Sequence, residues 1–90
     1  MVTLFEVKFL EEAVDFLKSI DRKHSEKILY NIRKSQTGND PELFKKINDN
    51  VWEFRTLYLG LQYRLLAFWD KTDKSNTLVI STSWFYKEKK

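Results

Sequence analysis

The sequence has no cysteine, one histidine, one proline and two glycines among its 90 residues. Without cysteine there is no disulfide framework and no thiolate metal site. The single histidine, His24, excludes a two-histidine metal centre and leaves any histidine-dependent nucleophilic mechanism resting on one side chain. Gly38 and Gly60 are isolated, so no glycine-rich loop is available to cradle nucleotide phosphates. The scarcity of glycine and proline also excludes collagen-like and flexible-linker architectures. No apolar run approaches the ~18 residues of a membrane span, and the N-terminal segment lacks the apolar core of a signal peptide. The expectation is a soluble protein of a reducing, cytoplasmic compartment. The carboxylates are scattered over helix surfaces and turns and form no convincing pair for a two-carboxylate hydrolase.

What is present is enough for one folded domain spanning residues 1–90. Hydrophobic residues make up 42% and aromatics 16%, so large rings must supply much of the burial in so short a chain. The net charge of +3 is unevenly placed. Residues 1–40 carry seven basic and seven acidic residues, whereas residues 41–90 carry nine basic and six acidic ones. The whole excess therefore lies in the second half, a mild pointer to an anionic partner.

Residues 2–7 are β-branched and aromatic enough for a first strand. From Phe9 the period changes: Phe9, Leu10, Ala13, Val14, Phe16, Leu17 and Ile20 recur at steps of three and four and predict a helix. Asp21 is placed to cap a second helix, with Ser25, Ile28, Leu29 and Ile32 inward and Tyr30 and Arg33 on its flank. The short joint makes the two a helical hairpin. His24 reads as a surface residue of this second helix. Thr37-Gly38-Asn39-Asp40-Pro41 ends the helical part, and residues 42–47 suggest a helical turn carrying Leu43, Phe44 and Ile47 inward. Residues 51–58 alternate, with Trp52, Phe54, Thr56 and Tyr58 on one face and Val51, Glu53, Arg55 and Leu57 on the other. A bend at Leu59-Gly60 leads to a strand over 61–69, a polar loop over 70–76, and a strand over 77–85. The predicted fold is α+β, in the order β-α-α-β-β-β, with the helical hairpin on one face of an antiparallel meander.

The chemistry-bearing stretch is the meander. Glu53 and Arg55 share a strand face, and Arg64 on the next strand is placed to meet them across the ladder. A sheet face carrying Arg55, Arg64 and Lys87 forms a compact cationic surface. Guanidinium groups hold phosphate bidentately, stay charged and stabilise charge growing in a phosphodiester transition state. The ordinary alternative is that Arg55 and Arg64 form cross-strand ion pairs, and the residues alone leave both readings open.

The order of elements resembles the RelE/ParE toxin superfamily, and within it the HigB-like, phage Gp49-like branch. The segments that carry the resemblance are Phe44-Lys45-Lys46-Ile47, Val51-Trp52-Glu53-Phe54-Arg55, Tyr63-Arg64-Leu65-Leu66-Ala67-Phe68-Trp69-Asp70 and Trp84-Phe85-Tyr86-Lys87-Glu88-Lys89. Together they extend the likeness from about Phe9 to Lys89. The resemblance implies a toxin of a type II toxin–antitoxin module that cleaves messenger RNA in the ribosomal decoding site. Attack by the 2′-hydroxyl leaves a 2′,3′-cyclic phosphate, with basic side chains replacing the usual His/Glu pair and no cofactor. It assigns catalytic roles to Arg55, Arg64, Lys87 and Glu53, and RNA contacts to Lys45, Lys46, Tyr86 and Lys89. Glu53, which stands where RelE-like members have a lysine, is either a base or a partner for Arg55 or Lys46. The family pattern usually continues past the position of Lys90 into a C-terminal helix. The implied partners are the ribosome, its message and a cognate antitoxin, with Tyr30 and Phe16 as candidate docking residues and no membrane involved. The alternatives are a ParE-like inhibitor that binds DNA gyrase, and an inactive relative that mainly binds its antitoxin.

Overall fold

The apolar spacing between Phe9 and Ile20 is realised as a helix, but a shorter one than periodicity alone predicts. In the computed structural model, which describes residues 3–38, 40–72 and 76–87, strand β1 spans Glu6–Phe9 and helix α1 spans Glu11–Ser19. Phe9 is drawn out of the helix because it pairs with Ile80, while the N–H of Leu10 donates to the Ile80 carbonyl. These tertiary hydrogen bonds outweigh the helical pattern. Of the predicted first strand, Val2 lies outside the described residues.

Helix α2 (Arg22–Thr37) begins as expected, with the Asp21 carboxylate accepting from the Lys23 N–H. The Ser25 hydroxyl donates to the Leu17 carbonyl and closes the hairpin. The inner face of α2 differs from the expectation. Ile28 and Ile32 are buried, but so are Asn31 and Ser35, whereas Leu29 is exposed. The polar pair is tolerated because Asn31 Nδ2 donates to Thr56 Oγ1 at 3.1 Å and the Ser35 hydroxyl donates to the Asn31 carbonyl. His24, expected on the surface, is half-buried. Its Nδ1 lies 2.6 Å from the Tyr63 hydroxyl and its ring packs edge-on to Tyr58. Burial, with a smaller push from the Asp21 charge, raises the Tyr63 phenol above its ordinary value, so it stays a neutral partner for His24.

The chain then forms β2 (Phe44–Lys46), β3 (Val51–Tyr58), β4 (Leu61–Trp69) and β5 (Thr77–Lys87). The helical turn expected over 42–47 is replaced by β2. As a strand, this segment stacks the Phe44 ring on Phe5, Trp52 and Phe54, which a single helical turn would not do. Ile47, expected inward, is exposed. Asn39 and Asp73, Lys74 and Ser75 of the predicted loops lie outside the described residues.

Among the described residues the five strands form one sheet in the order β1-β5-β4-β3-β2. Every pairing is antiparallel except that of β1 with β5. The architecture is α+β, as predicted, with α1 lying against β5 and α2 against β3 on one face. Phe54, Tyr63, Leu65, Ala67, Leu78 and Ile80 meet Ala13, Ile28 and Ile32 there to form the core. Among the described residues no helix lies over the opposite face. No helix among the described residues is long and apolar enough to cross a membrane.

Candidate active site on the open face of the sheet

Directly paired residues of an antiparallel ladder share a face. The register Arg55↔Arg64 and Arg64↔Trp84 therefore makes one cross-strand row on the open face. Leu57↔Gln62 and Gln62↔Tyr86 make the next row, and Lys45↔Glu53 and Glu53↔Leu66 the row on the other side. Arg55, Arg64, Glu53, Lys45 and Tyr86, all named from the sequence, are thus brought together.

Glu53 is the buried member, at 6% exposure. Its Oε1 accepts from Arg55 Nε at 2.7 Å and from Arg64 Nη1 at 2.6 Å. Burial works to raise the Glu53 carboxyl. The hydrogen bonds and charges of the two guanidinium groups outweigh it and hold the carboxyl below its ordinary value. Glu53 is consequently a fixed anion and a weak base, whose physical work is to hold two cations side by side. Arg64 is shifted upward despite burial, by its bonds to Glu53 and Tyr86. The Tyr86 hydroxyl accepts from Arg64 Nη2 at 2.7 Å, and the guanidinium carbon lies 5.6 Å from the Tyr86 ring centroid. Among the described residues neither terminal nitrogen of Arg55 is hydrogen-bonded, because Nε alone anchors the side chain. Of the alternatives left open by the sequence, the ion pairing is observed, with Glu53 as the shared partner, and it leaves the terminal nitrogens of Arg55 free among the described residues.

Lys87 is not on this face. A β-bulge separates the Leu66↔Thr82 pair from the Ala67↔Ile80 pair, so Ser81 is the extra residue on β5. The bulge reverses the alternation, putting Trp84 and Tyr86 on the arginine face and Phe85 and Lys87 on the helix side. Phe85 accordingly packs on Phe16 and Tyr63. Lys46 also falls on the helix-side face, paired in register with Trp52 and with its ammonium 3.5 Å from Asp49. Lys89 lies outside the described residues.

Periodicity missed a second group. β2 pairs only with Trp52, Glu53 and Phe54, so residues 55–58 of β3 have a neighbouring strand on one side alone. An open cleft of about 580 Å³ forms at this edge. It joins Arg55, Leu57, Gln62 and Arg64 of the open face to Lys27, Tyr30, Asn31 and Lys34 of α2, with Asp40 and Glu42 on a third side. The i, i+3, i+4, i+7 spacing of the α2 residues was visible, but which surface they would border was not. Among the described residues no group of acidic or histidine side chains could hold a metal ion.

The family model described as Phage derived protein Gp49-like (DUF891) matches residues 15–90. Among curated proteins, none matches the chain.

Proposed function

Because the chain belongs to the phage-derived Gp49-like family, we propose that it is the toxin of a type II toxin–antitoxin module and cleaves messenger RNA on the ribosome. The family is associated with RelE-like, toxin-like proteins. The observation that carries the finer reading is the pair of arginines fixed on an open sheet face by one buried carboxylate, with the Tyr86 hydroxyl attached to Arg64.

The scissile phosphate lies between the free fork of Arg55 and the terminal N–H groups of Arg64 that Glu53 and Tyr86 leave unused. In-line attack by the 2′-oxygen forms the O2′–P bond and breaks the P–O5′ bond, giving a 2′,3′-cyclic phosphate and a 5′-hydroxyl. The 2′-proton passes to water, and Tyr86, whose oxygen accepts from Arg64, donates its own proton to the departing 5′-oxygen. The guanidinium charges stabilise the extra negative charge on the phosphoryl oxygens in the transition state. Glu53 acts as a positioning residue, and Trp84, next in the arginine row, offers a ring for an unpaired base. A cognate antitoxin is the expected second partner, and Tyr30 on α2 is open to it. Phe16, packed on Tyr63 and Phe85, is the less available of the two docking candidates.

The test is to add the purified protein to a bacterial translation extract with a defined message and map new 5′ ends by primer extension. Ribosome-dependent cuts at codon spacing, weakened in Arg64→Lys, support the reading. An intact message overturns it, and blocked supercoiling by gyrase in a parallel assay would point to the binding-only alternative.

A further inference from the structure

Lys27, Tyr30, Asn31 and Lys34 form a single stripe along α2, at spacings that put every member on one helix face. The stripe rises about 10 Å from Lys27 to Lys34. Its centre is fixed to β3 by the bond from Asn31 to Thr56. That bond sets the height of both lysines against the part of β3 that β2 leaves uncovered. The Lys27 ammonium lies 5.1 Å from the Tyr30 ring centroid, which holds it at the cleft wall. Tyr30 itself is 59% exposed.

The lining has four cations against two carboxylates, and with Glu53 bound to both arginines the local balance is an excess of one positive charge. The positive wall is continuous with the arginine row, because Arg55 and Arg64 line both. A ligand that fits is an extended polyanion that bends around a strand edge and carries flat apolar groups. Single-stranded RNA has all of these properties.

We propose that this cleft is a second phosphate-binding subsite for single-stranded RNA, with Lys27 and Lys34 holding backbone next to the phosphate gripped by Arg55 and Arg64. This deepens the nuclease reading and rests on it for the identity of the first phosphate. Tyr30 supplies a stacking surface, and Asp40 and Glu42 keep the backbone on the α2 side by repulsion.

The experiment measures binding of the full chain to a labelled short 2′-O-methyl oligoribonucleotide by fluorescence anisotropy over a range of potassium chloride, starting at low salt. The blocked 2′-oxygen prevents cleavage, so binding alone is read. Each phosphate contact to a single strand contributes a log–log salt slope of about 0.7. The Lys27→Gln/Lys34→Gln variant is expected to lose about 1.4 of that slope, while Lys18→Gln/Lys23→Gln, outside the cleft, keeps it. An unchanged slope in the first variant, with weaker binding in Arg64→Lys, overturns the subsite and leaves the nuclease reading standing. Absence of low-salt binding by the wild-type chain also overturns it, while the translation-extract assay judges the cleavage reading separately. Tighter binding of a polyglutamate peptide than of the oligonucleotide, abolished by the same lysine substitutions, overturns RNA in favour of an acidic protein segment.

Discussion

Arg55 and Arg64 face each other directly across the β3–β4 ladder, an arrangement of like charges that destabilises a sheet when left uncompensated. It persists because Glu53, two residues before Arg55 on the same face, binds both through one oxygen. The carboxylate is buried, and the Arg64 side chain beside it retains only 18% of its exposure. Coulomb repulsion and desolvation are therefore both offset by a single acid. The result is a fixed pair of guanidiniums with donors to spare, which is what binding to a phosphodiester requires.

Glu53→Gln should destabilise the fold by about 2–3 kcal/mol, since it leaves two adjacent, partly buried cations without their anion. Urea denaturation at neutral pH measures this. A cost below about 0.5 kcal/mol, typical of ordinary surface changes, would show that the carboxylate does not hold the pair together. For the same reason Arg64→Ala is a poor test of catalysis, because it disturbs a buried ion pair as well as the site. Arg64→Lys keeps the charge.

Acid should weaken the fold through this carboxyl. Glu53 is held below its ordinary value of 4.5 when folded, so the ionised form is favoured by folding. Its stabilising contribution is complete above about pH 4.5 and is lost as the pH falls through the lower folded value. Urea midpoints measured from pH 7 downward should fall more steeply for the wild-type protein than for Glu53→Gln. Parallel curves would contradict the assignment.

Tyr86→Phe and Lys87→Ala are expected to separate. Loss of the phenol hydroxyl removes the proton donor of the proposed cleavage and should slow it about 100-fold or more. Stability should change by only about 0.5 kcal/mol, since Tyr86 is on the surface. Lys87→Ala, on the other side of the sheet, should leave the rate within about twofold. Primer extension on a time course reads both, and the reverse ranking would assign the proton donor to Lys87 and overturn the role of Tyr86.

The β3–β4 turn should be improvable. Leu59 and Gly60 both have positive φ, 50° and 78°, as a two-residue hairpin turn of this hand needs. Glycine adopts that geometry freely, but leucine does not. Leu59 is 76% exposed and has little packing to lose. Leu59→Asn should stabilise the protein by about 0.5–1 kcal/mol, raising the melting temperature by a few degrees. Differential scanning calorimetry would show it, and a lower melting temperature would mean that Leu59 makes contacts worth more than the strain.

Much of this fold was legible from local pattern. Strand β3 and strand β4 were read with their observed limits, because alternation of side chains over eight or nine residues is a strong period-two signal. The α2 cap at Asp21 was legible because its geometry is local. Strand β2 was not, since three residues carry no period and Phe44 becomes a strand residue only when Phe5, Trp52 and Phe54 surround it. His24 was misread for a related reason: its partners, Tyr58 and Tyr63, are distant in sequence.

The site divides along the same line. The sequence by itself determined that Glu53 and Arg55 share a face, and that Arg64 is near them, because a pleated strand alternates and a hairpin folds back on itself. It also determined the positive excess of the second half, the absence of cysteine chemistry and the restriction of any imidazole chemistry to His24. Only the tertiary structure decided which aromatic or basic residue of β5 completes the group. Unbroken alternation from the buried Leu78 and Ile80 would put Lys87 on the arginine face. The bulge at Ser81 reverses the parity and puts Tyr86 there instead. The cleft that joins Lys27 and Lys34 of α2 to the arginines was equally out of reach, because it exists only where β2 stops short of the end of β3. Local periods are set by covalent geometry and act within a few residues. Register shifts and strand ends are set by which distant side chains find room in the core.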